Sequence, residues 1–246
     1  MRRSALWVKV LICTNVIATT FLCIVSFHYQ VPQKVLNKFG ITKIEIVQNS
    51  YTYLDYRQNA IHSLVSGVNS YNIVMLGDSI TECGNWNELL NRADIANFGI
   101  SGDASSYLLY RLSDMYLAAP QKCFLMIGIN DFAGNAAVEK VFHNYKLIVE
   151  DIKLHNIETI IQSTLYISKT ASRFEHIGNN WQEINVKVDN LNELLREYCV
   201  KNNLIYLDIN EVMSKNKMLE EVNTSDGVHL NKIGYEKWKK ILLKEL

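Results

Sequence analysis

The chain has 246 residues, 48% of them apolar, which suffices for one well-buried domain and is too little for two large ones. Lys and Arg together number 25, as do Asp and Glu, and no basic run is present, so charge suggests no nucleic-acid partner. Pro is scarce (Pro32 and Pro120), and neither a low-complexity tract nor a repeat of 20–50 residues is evident.

The first feature along the chain is apolar. Arg2, Arg3 and Lys9 precede Val10 to Phe27, a stretch without a charged residue. Its length of about 18 residues is near the lower limit for a helix that crosses a bilayer. The exit, Val25-Ser26-Phe27-His28-Tyr29, is a poor signal-peptide cleavage site. Cys23 lacks the small preceding residue of a bacterial lipoprotein signal. Residues 1–28 therefore read as a membrane anchor, with a cleaved signal or a buried core helix as the alternatives. Lys34, Lys38 and Lys43 nearly balance the cations ahead of the span, so the positive-inside rule leaves its orientation open. A domain outside the cytoplasm is the working expectation. Residues 29–70 form a connecting lead-in. Its tyrosines between Tyr51 and Arg57 read as packing onto the domain rather than as a sugar-stacking surface, and a helical Gln58–Val65 follows.

From Tyr71 to the end, residues 71–246 read as one domain. Apolar runs of strand length occur at Asn72–Leu76, Ile95–Phe98, Cys123–Ile127, Thr159–Ser163 and Leu204–Leu207. Most are continuous rather than alternating, as expected of parallel strands covered on both faces. Helical spacing fills the intervals around Trp86–Asn91, Ser105–Ala118, Val138–His155 and Ile184–Asn202, and Lys232–Leu243 closes the chain. Strands alternating with helices predict an α/β fold with a parallel sheet, whose ligands bind beyond the carboxyl ends of the strands.

Polar and glycine-rich clusters fall at those ends. They are Gly77-Asp78-Ser79-Ile80-Thr81, Asn97-Phe98-Gly99-Ile100-Ser101-Gly102-Asp103, Gly128-Ile129-Asn130-Asp131 and, ahead of the last helix, Ser225-Asp226-Gly227-Val228-His229-Leu230-Asn231. Their residue types suit acyl transfer. A serine hydroxyl needs a base to take its proton, and His is the natural base near neutral pH. Asp226, three residues upstream of His229, supplies the acceptor that fixes the imidazole tautomer. The N–H of Ser79, the N–H of Gly102 and the amide of Asn130 would donate to the oxygen of a tetrahedral intermediate. Each cluster alone has a plain structural reading: Asp78 as a partner of the turn backbone, Asn130-Asp131 as a helix cap, His229 as a structural histidine. Four such clusters at successive strand ends are harder to assign to chance.

The four blocks, with Trp86, Arg111-Leu112 and Asn231 to Tyr235 in support, resemble the SGNH (GDSL-type) serine hydrolases, and most closely their branch similar to the platelet-activating-factor acetylhydrolase catalytic subunits. The likeness runs from about Ile73 to the end. It implies a flavodoxin-like three-layer α/β/α sandwich with a five-stranded parallel sheet, no metal and no organic cofactor. It also implies Ser79 as nucleophile and first oxyanion donor, Gly102 and Asn130 as the other donors, and Asp226 and His229 as acid and base. The expected activity is removal of a small acyl group, such as acetyl, from a carbohydrate or lipid ester. A lysophospholipase or thioesterase, an O-acyltransferase to sugar hydroxyls, and a non-catalytic glycan-binding domain are the alternatives. The acyl group, the alcohol and the oligomeric state stay open.

Two smaller features complete the reading. Cys13 and Cys23 lie in the apolar span, and Cys83, Cys123 and Cys199 form neither a CxxC pair nor a His cluster, so no metal site or disulfide framework is expected. Cys83, close to Ser79, reads as a small packing residue rather than a nucleophile. Asn223-Thr224-Ser225 matches a glycosylation acceptor and is read as a chance match, since a glycan there would crowd the catalytic edge.

Overall fold

The computed structural model describes residues 71–246, together with Asn59. The anchor expected within residues 1–28 and most of the lead-in lie outside the described residues. Among the described residues, no helix is long and apolar enough to cross a membrane.

Five strands, β1 (Ile73–Gly77), β2 (Ile95–Gly99), β3 (Lys122–Met126), β4 (Glu158–Gln162) and β5 (Ile205–Leu207), form one sheet in the order β2-β1-β3-β4-β5. Every pairing is parallel. All five residues of β1 are buried, as are Cys123 to Met126 of β3, so both faces of the sheet are covered. That explains why these strands read as continuous apolar runs. Burying such Leu, Ile and Phe side chains stabilises the fold by roughly 1.5–3 kcal/mol each.

The long helices are α6 (Val138–Leu154) and α7 (Trp181–Asn202), which pack on each other; α6 also packs on α3 (Ser105–Tyr110). A second group joins α2 (Trp86–Leu90) to α9 (Lys232–Leu242). Its centre is aromatic. Trp86 meets Trp238 edge to face with ring centroids 4.8 Å apart, and the Trp238 indole N–H donates to Gln162 on β4 at 2.8 Å. The Tyr235 hydroxyl of α9 donates to the Ile80 carbonyl at 2.7 Å, which ties the last helix to the segment after β1.

The structure departs from the sequence reading in several places. The single helix expected over Ser105–Ala118 is two, α3 and α4 (Leu112–Tyr116), broken at Arg111 (φ −112°, ψ 11°) because its side chain turns inward to buried partners described below. Short helices not foreseen are α1 (Ser79–Glu82), α5 (Ile129–Ala133) and α8 (Asn210–Met213). So is the small hairpin of β6 (Ser214–Lys215) and β7 (Met218–Leu219). Four- and five-residue elements leave no periodicity to read. Cys83 is exposed rather than packed. Partial shielding of the thiol from water and the neighbouring Glu82 carboxylate still raise its pKa, which disfavours the thiolate. Asn223 is fully buried and its amide donates to the Met213 carbonyl at 2.7 Å, so the acceptor-like triplet presents no free asparagine.

The glycine ending β2 sets how closely α1 approaches the sheet. A Cβ at Gly99 would stand 2.1 Å from the backbone nitrogen of Glu82, whereas one at Gly178 meets nothing within 4 Å. Gly99→Ala is therefore expected to lower unfolding stability by about 3 kcal/mol or more, against about 1 kcal/mol for Gly178→Ala, where only a positive φ is strained. Urea titration of both variants measures the difference; equal losses would contradict the close approach.

Candidate active site

Ser79 stands directly beyond β1, at the first position of α1, and is 9% exposed. Asp78 caps this helix through its carboxylate, which accepts the Ile80 N–H at 3.0 Å, so its expected role in the turn is the one observed. A residue in the first turn of a helix has no intrahelical acceptor for its N–H, which makes the Ser79 backbone a donor.

The structure brings Ser79, His229 and Asp226 together across 150 residues of sequence. The Ser79 hydroxyl lies 2.9 Å from His229 Nε2, and His229 Nδ1 lies 2.7 Å from Asp226 Oδ2. The other Asp226 oxygen accepts the N–H groups of Val228 at 2.8 Å and of His229 at 2.7 Å. Burial opposes ionisation of Asp226, but the hydrogen bonds from His229 and the backbone outweigh it and hold the carboxyl below its ordinary value. Thr224 shapes this turn: its hydroxyl donates to the His229 carbonyl at 2.7 Å and accepts the Gly227 N–H at 2.8 Å. Gly227, at φ 94°, has no room for a side chain, since a Cβ would meet the Ala171 nitrogen at 2.2 Å. Its carbonyl accepts the Ser168 N–H at 2.8 Å. The Asp226–His229 loop is thus clamped to the segment after β4.

The donor loops converge on the same edge. Gly102, at φ 76°, is the third residue of a turn closed by Asp103 N–H to Ile100 carbonyl at 3.1 Å, a position that demands positive φ. Ser101 is held by Glu82 of α1, whose carboxylate accepts both its N–H, at 2.8 Å, and its hydroxyl. Asn130 lies inside α5 rather than ahead of it as a cap. One of its two amide N–H groups donates to the Asp103 carbonyl at 2.9 Å, which orients the side chain. Asp131 accepts the N–H of Ser105 at 2.8 Å and its hydroxyl at 2.7 Å.

Beneath these loops lies a buried ion pair. Arg111 is 2% exposed and Asp103 0%; Arg111 Nε donates to Asp103 at 2.6 Å and Nη2 to the Gly77 carbonyl at 2.9 Å. The ends of β1, β2 and β3 are therefore connected through Gly77, Asp103 and Asn130. The sequence marks Arg111 only as a family likeness and Asp131 only as a helix cap, and it gives Glu82 and Thr224 no role at the site. Thr224, two residues before Asp-Gly, carries the one local signal, that of a side-chain-capped turn.

Asp78 is an acid with a strongly shifted carboxyl. Full burial raises its carboxyl to about 7; the Ile80 N–H opposes the rise, and the Asp103 and Asp131 carboxylates add to it.

The model of the GDSL-like lipase/acylhydrolase family matches residues 75–237, about two thirds of the sequence. The chain belongs to that family. That family is one of hydrolases of ester bonds. Among curated relatives, the N-acylneuraminate cytidylyltransferase of Streptococcus agalactiae serotype III (strain NEM316) is 26% identical over 156 residues, 63% of this chain and 34% of the relative. The chain thus spans about a third of that relative's length. The platelet-activating factor acetylhydrolase IB subunit alpha1 of Pongo abelii is 27% identical over 171 residues, 66% of this chain and 70% of the relative. A GDSL-like lipase of Bacteroides thetaiotaomicron superposes with a TM-score of 0.66 at 23% identity, covering 77% of this chain and 96% of that one, a likeness of fold.

The pKa of Asp78 has a consequence for stability. Unfolded, the carboxyl ionises near its ordinary 3.8; folded, it keeps its proton to about 7. Between those values the native state binds more protons, so unfolding free energy falls as pH rises. Asp78→Asn, which retains an acceptor for Ile80, is expected to flatten that fall, on the order of a few kcal/mol across pH 4–7. Urea unfolding at pH 4.5, 5.5 and 6.5 compares the slopes, and identical slopes contradict a neutral buried acid.

Proposed function

We propose that the protein is a serine esterase that removes a small acyl group, acetyl in the first instance, from a carbohydrate ester. Ser79 is the nucleophile, His229 the general base and Asp226 its orienting acid. The observation that carries this reading is the continuous hydrogen-bonded line from Ser79 through His229 to Asp226, at 2.9 and 2.7 Å. His229 takes the hydroxyl proton as Ser79 attacks the acyl carbon, then gives it to the leaving alcohol. Water, deprotonated by His229, cleaves the acyl-enzyme and restores the serine. The Ser79 and Gly102 N–H groups and the Asn130 amide stabilise the tetrahedral oxygen in both steps. These groups suffice for ester hydrolysis without an assigned cofactor.

The choice of acyl group and alcohol rests on likeness. One relative is named for acetyl hydrolysis and another for N-acylneuraminate, a sugar. Together they favour a small acyl group on a glycan over a long lipid acyl chain. The basic flank and uncharged stretch before residue 28 support a single N-terminal membrane anchor, and a domain on the outer side of that membrane is part of the proposal rather than of its support.

The purified full-length protein is expected to release p-nitrophenol from p-nitrophenyl acetate. Ser79→Ala should reduce kcat by at least about 10⁴-fold, and Asn130→Ala by about 10²–10³-fold with a smaller effect on KM. Steady-state assays of the three proteins decide it. Ser79→Ala activity equal to that of the parent protein would defeat the assignment.

A further inference from the structure

Beyond Asp226, the hydrogen-bonded line that carries the proposed chemistry meets a cation. Arg173 Nη2 lies 3.8 Å from Asp226 Oδ2, the oxygen that faces His229. That distance is an ion-pair contact and not a hydrogen bond. Asp226 already accepts three hydrogen bonds, from the Val228 and His229 N–H groups at one oxygen and from the His229 ring at the other. The guanidinium has five N–H donors, and among the described residues it makes no hydrogen bond. Its other contact is the face of Phe174, whose ring centre is 5.3 Å away. The side chain is 54% exposed. A cation with an unused donor fork therefore stands at the open side of the acid–base pair.

Its place is fixed by the fold. Arg173 ends the 3-10 turn Lys169–Arg173, and this turn is pressed against the Asp226–His229 loop where Gly227 meets Ala171. The bond from Ser168 N–H to the Gly227 carbonyl holds one end, and that from the Thr170 hydroxyl to Glu221, at 2.7 Å, holds the middle. Glu221 is engaged with Thr170 and Asp226 with its own turn; Glu175 and His176 are exposed and follow on the same segment.

The chemistry of the triad says which part of the substrate comes near Arg173. The acyl oxygen sits among the Ser79, Gly102 and Asn130 donors, and the leaving oxygen sits beside His229 Nε2, which gives it a proton. The alcohol portion thus extends over the His229 side, where Arg173 stands one carboxylate further on. A guanidinium fork matches a carboxylate bidentately. We infer that Arg173 makes the site selective for esters whose alcohol portion carries a carboxylate, as in the acyl ester of an acidic sugar. The inference rests on the proposed triad and deepens it by naming the charge of the alcohol.

The test compares two monoacetylated sugars that differ in one group, a methyl glucuronoside and the corresponding neutral methyl glucoside. The full-length protein is expected to favour the anionic ester in kcat/KM by about tenfold at low salt, with the preference shrinking as salt is added. Arg173→Gln should bring the ratio of the two to near one, and Arg173→Lys should restore part of it. A role for Arg173 confined to supporting Asp226 would slow both esters alike and leave the ratio unchanged, which would overturn the inference. Equal turnover of the two esters by the parent protein would also overturn it, while leaving the esterase reading intact. Loss of the reading itself is seen separately, as p-nitrophenyl acetate turnover that does not depend on Ser79.

Discussion

The buried ion pair of Asp103 and Arg111 is the constraint on which the site depends. A guanidinium inside a protein is tolerated only where its charge and donors are met. Here Asp103, at the end of the β2 loop, meets the charge and accepts from Nε, and the Gly77 carbonyl, at the end of β1, accepts from Nη2. Asp103 in turn offers its own carbonyl to Asn130, beyond β3. One buried cation thus couples three strand ends that the sheet alone would leave as independent loops. The same demand breaks the helix after β2, since Arg111 serves the interior only by leaving the helical path.

Around that pair the site is built from close backbone approaches. Gly99 admits α1 against β2, and α1 sends Glu82 to hold Ser101 beside Gly102. Gly227 admits the segment after β4 against the acid–base loop. The segment of Ser79 is joined to the last helix through Ile80 and Tyr235, so His229, only six residues before Tyr235, is set relative to Ser79 by the aromatic packing of Trp86 and Trp238. The Ser79–His229 distance of 2.9 Å depends in this way on packing far from it, as positioning on rigid elements requires.

Much of this was legible in the sequence because it is written in local composition. The five strands are short apolar runs, and their boundaries shift by a residue or two at most. The four blocks announce their chemistry through Ser, Asn, Asp and His at strand ends, and the parallel-sheet rule gathers those ends on one edge. What stayed hidden is pairwise and distant. Glu82 and Ser101 are 19 residues apart, and Arg173 and Asp226 are 53 apart; no spacing rule links such positions. The break at Arg111 was hidden for another reason: the apolar positions Leu108, Leu112 and Met115 keep helical spacing through it. The exposure of Cys83 and the burial of Asn223 were equally out of reach, since both follow from how distant loops cover one another.

The central claim is that Ser79 is made nucleophilic by His229. A fluorophosphonate probe reacts covalently with a serine activated in this way, and peptide mass spectrometry locates the adduct. The account predicts a single adduct on the peptide containing Gly77-Asp78-Ser79, assigned to Ser79, and its loss in His229→Ala. An adduct on another serine, or labelling of Ser79 that survives without His229, would contradict it.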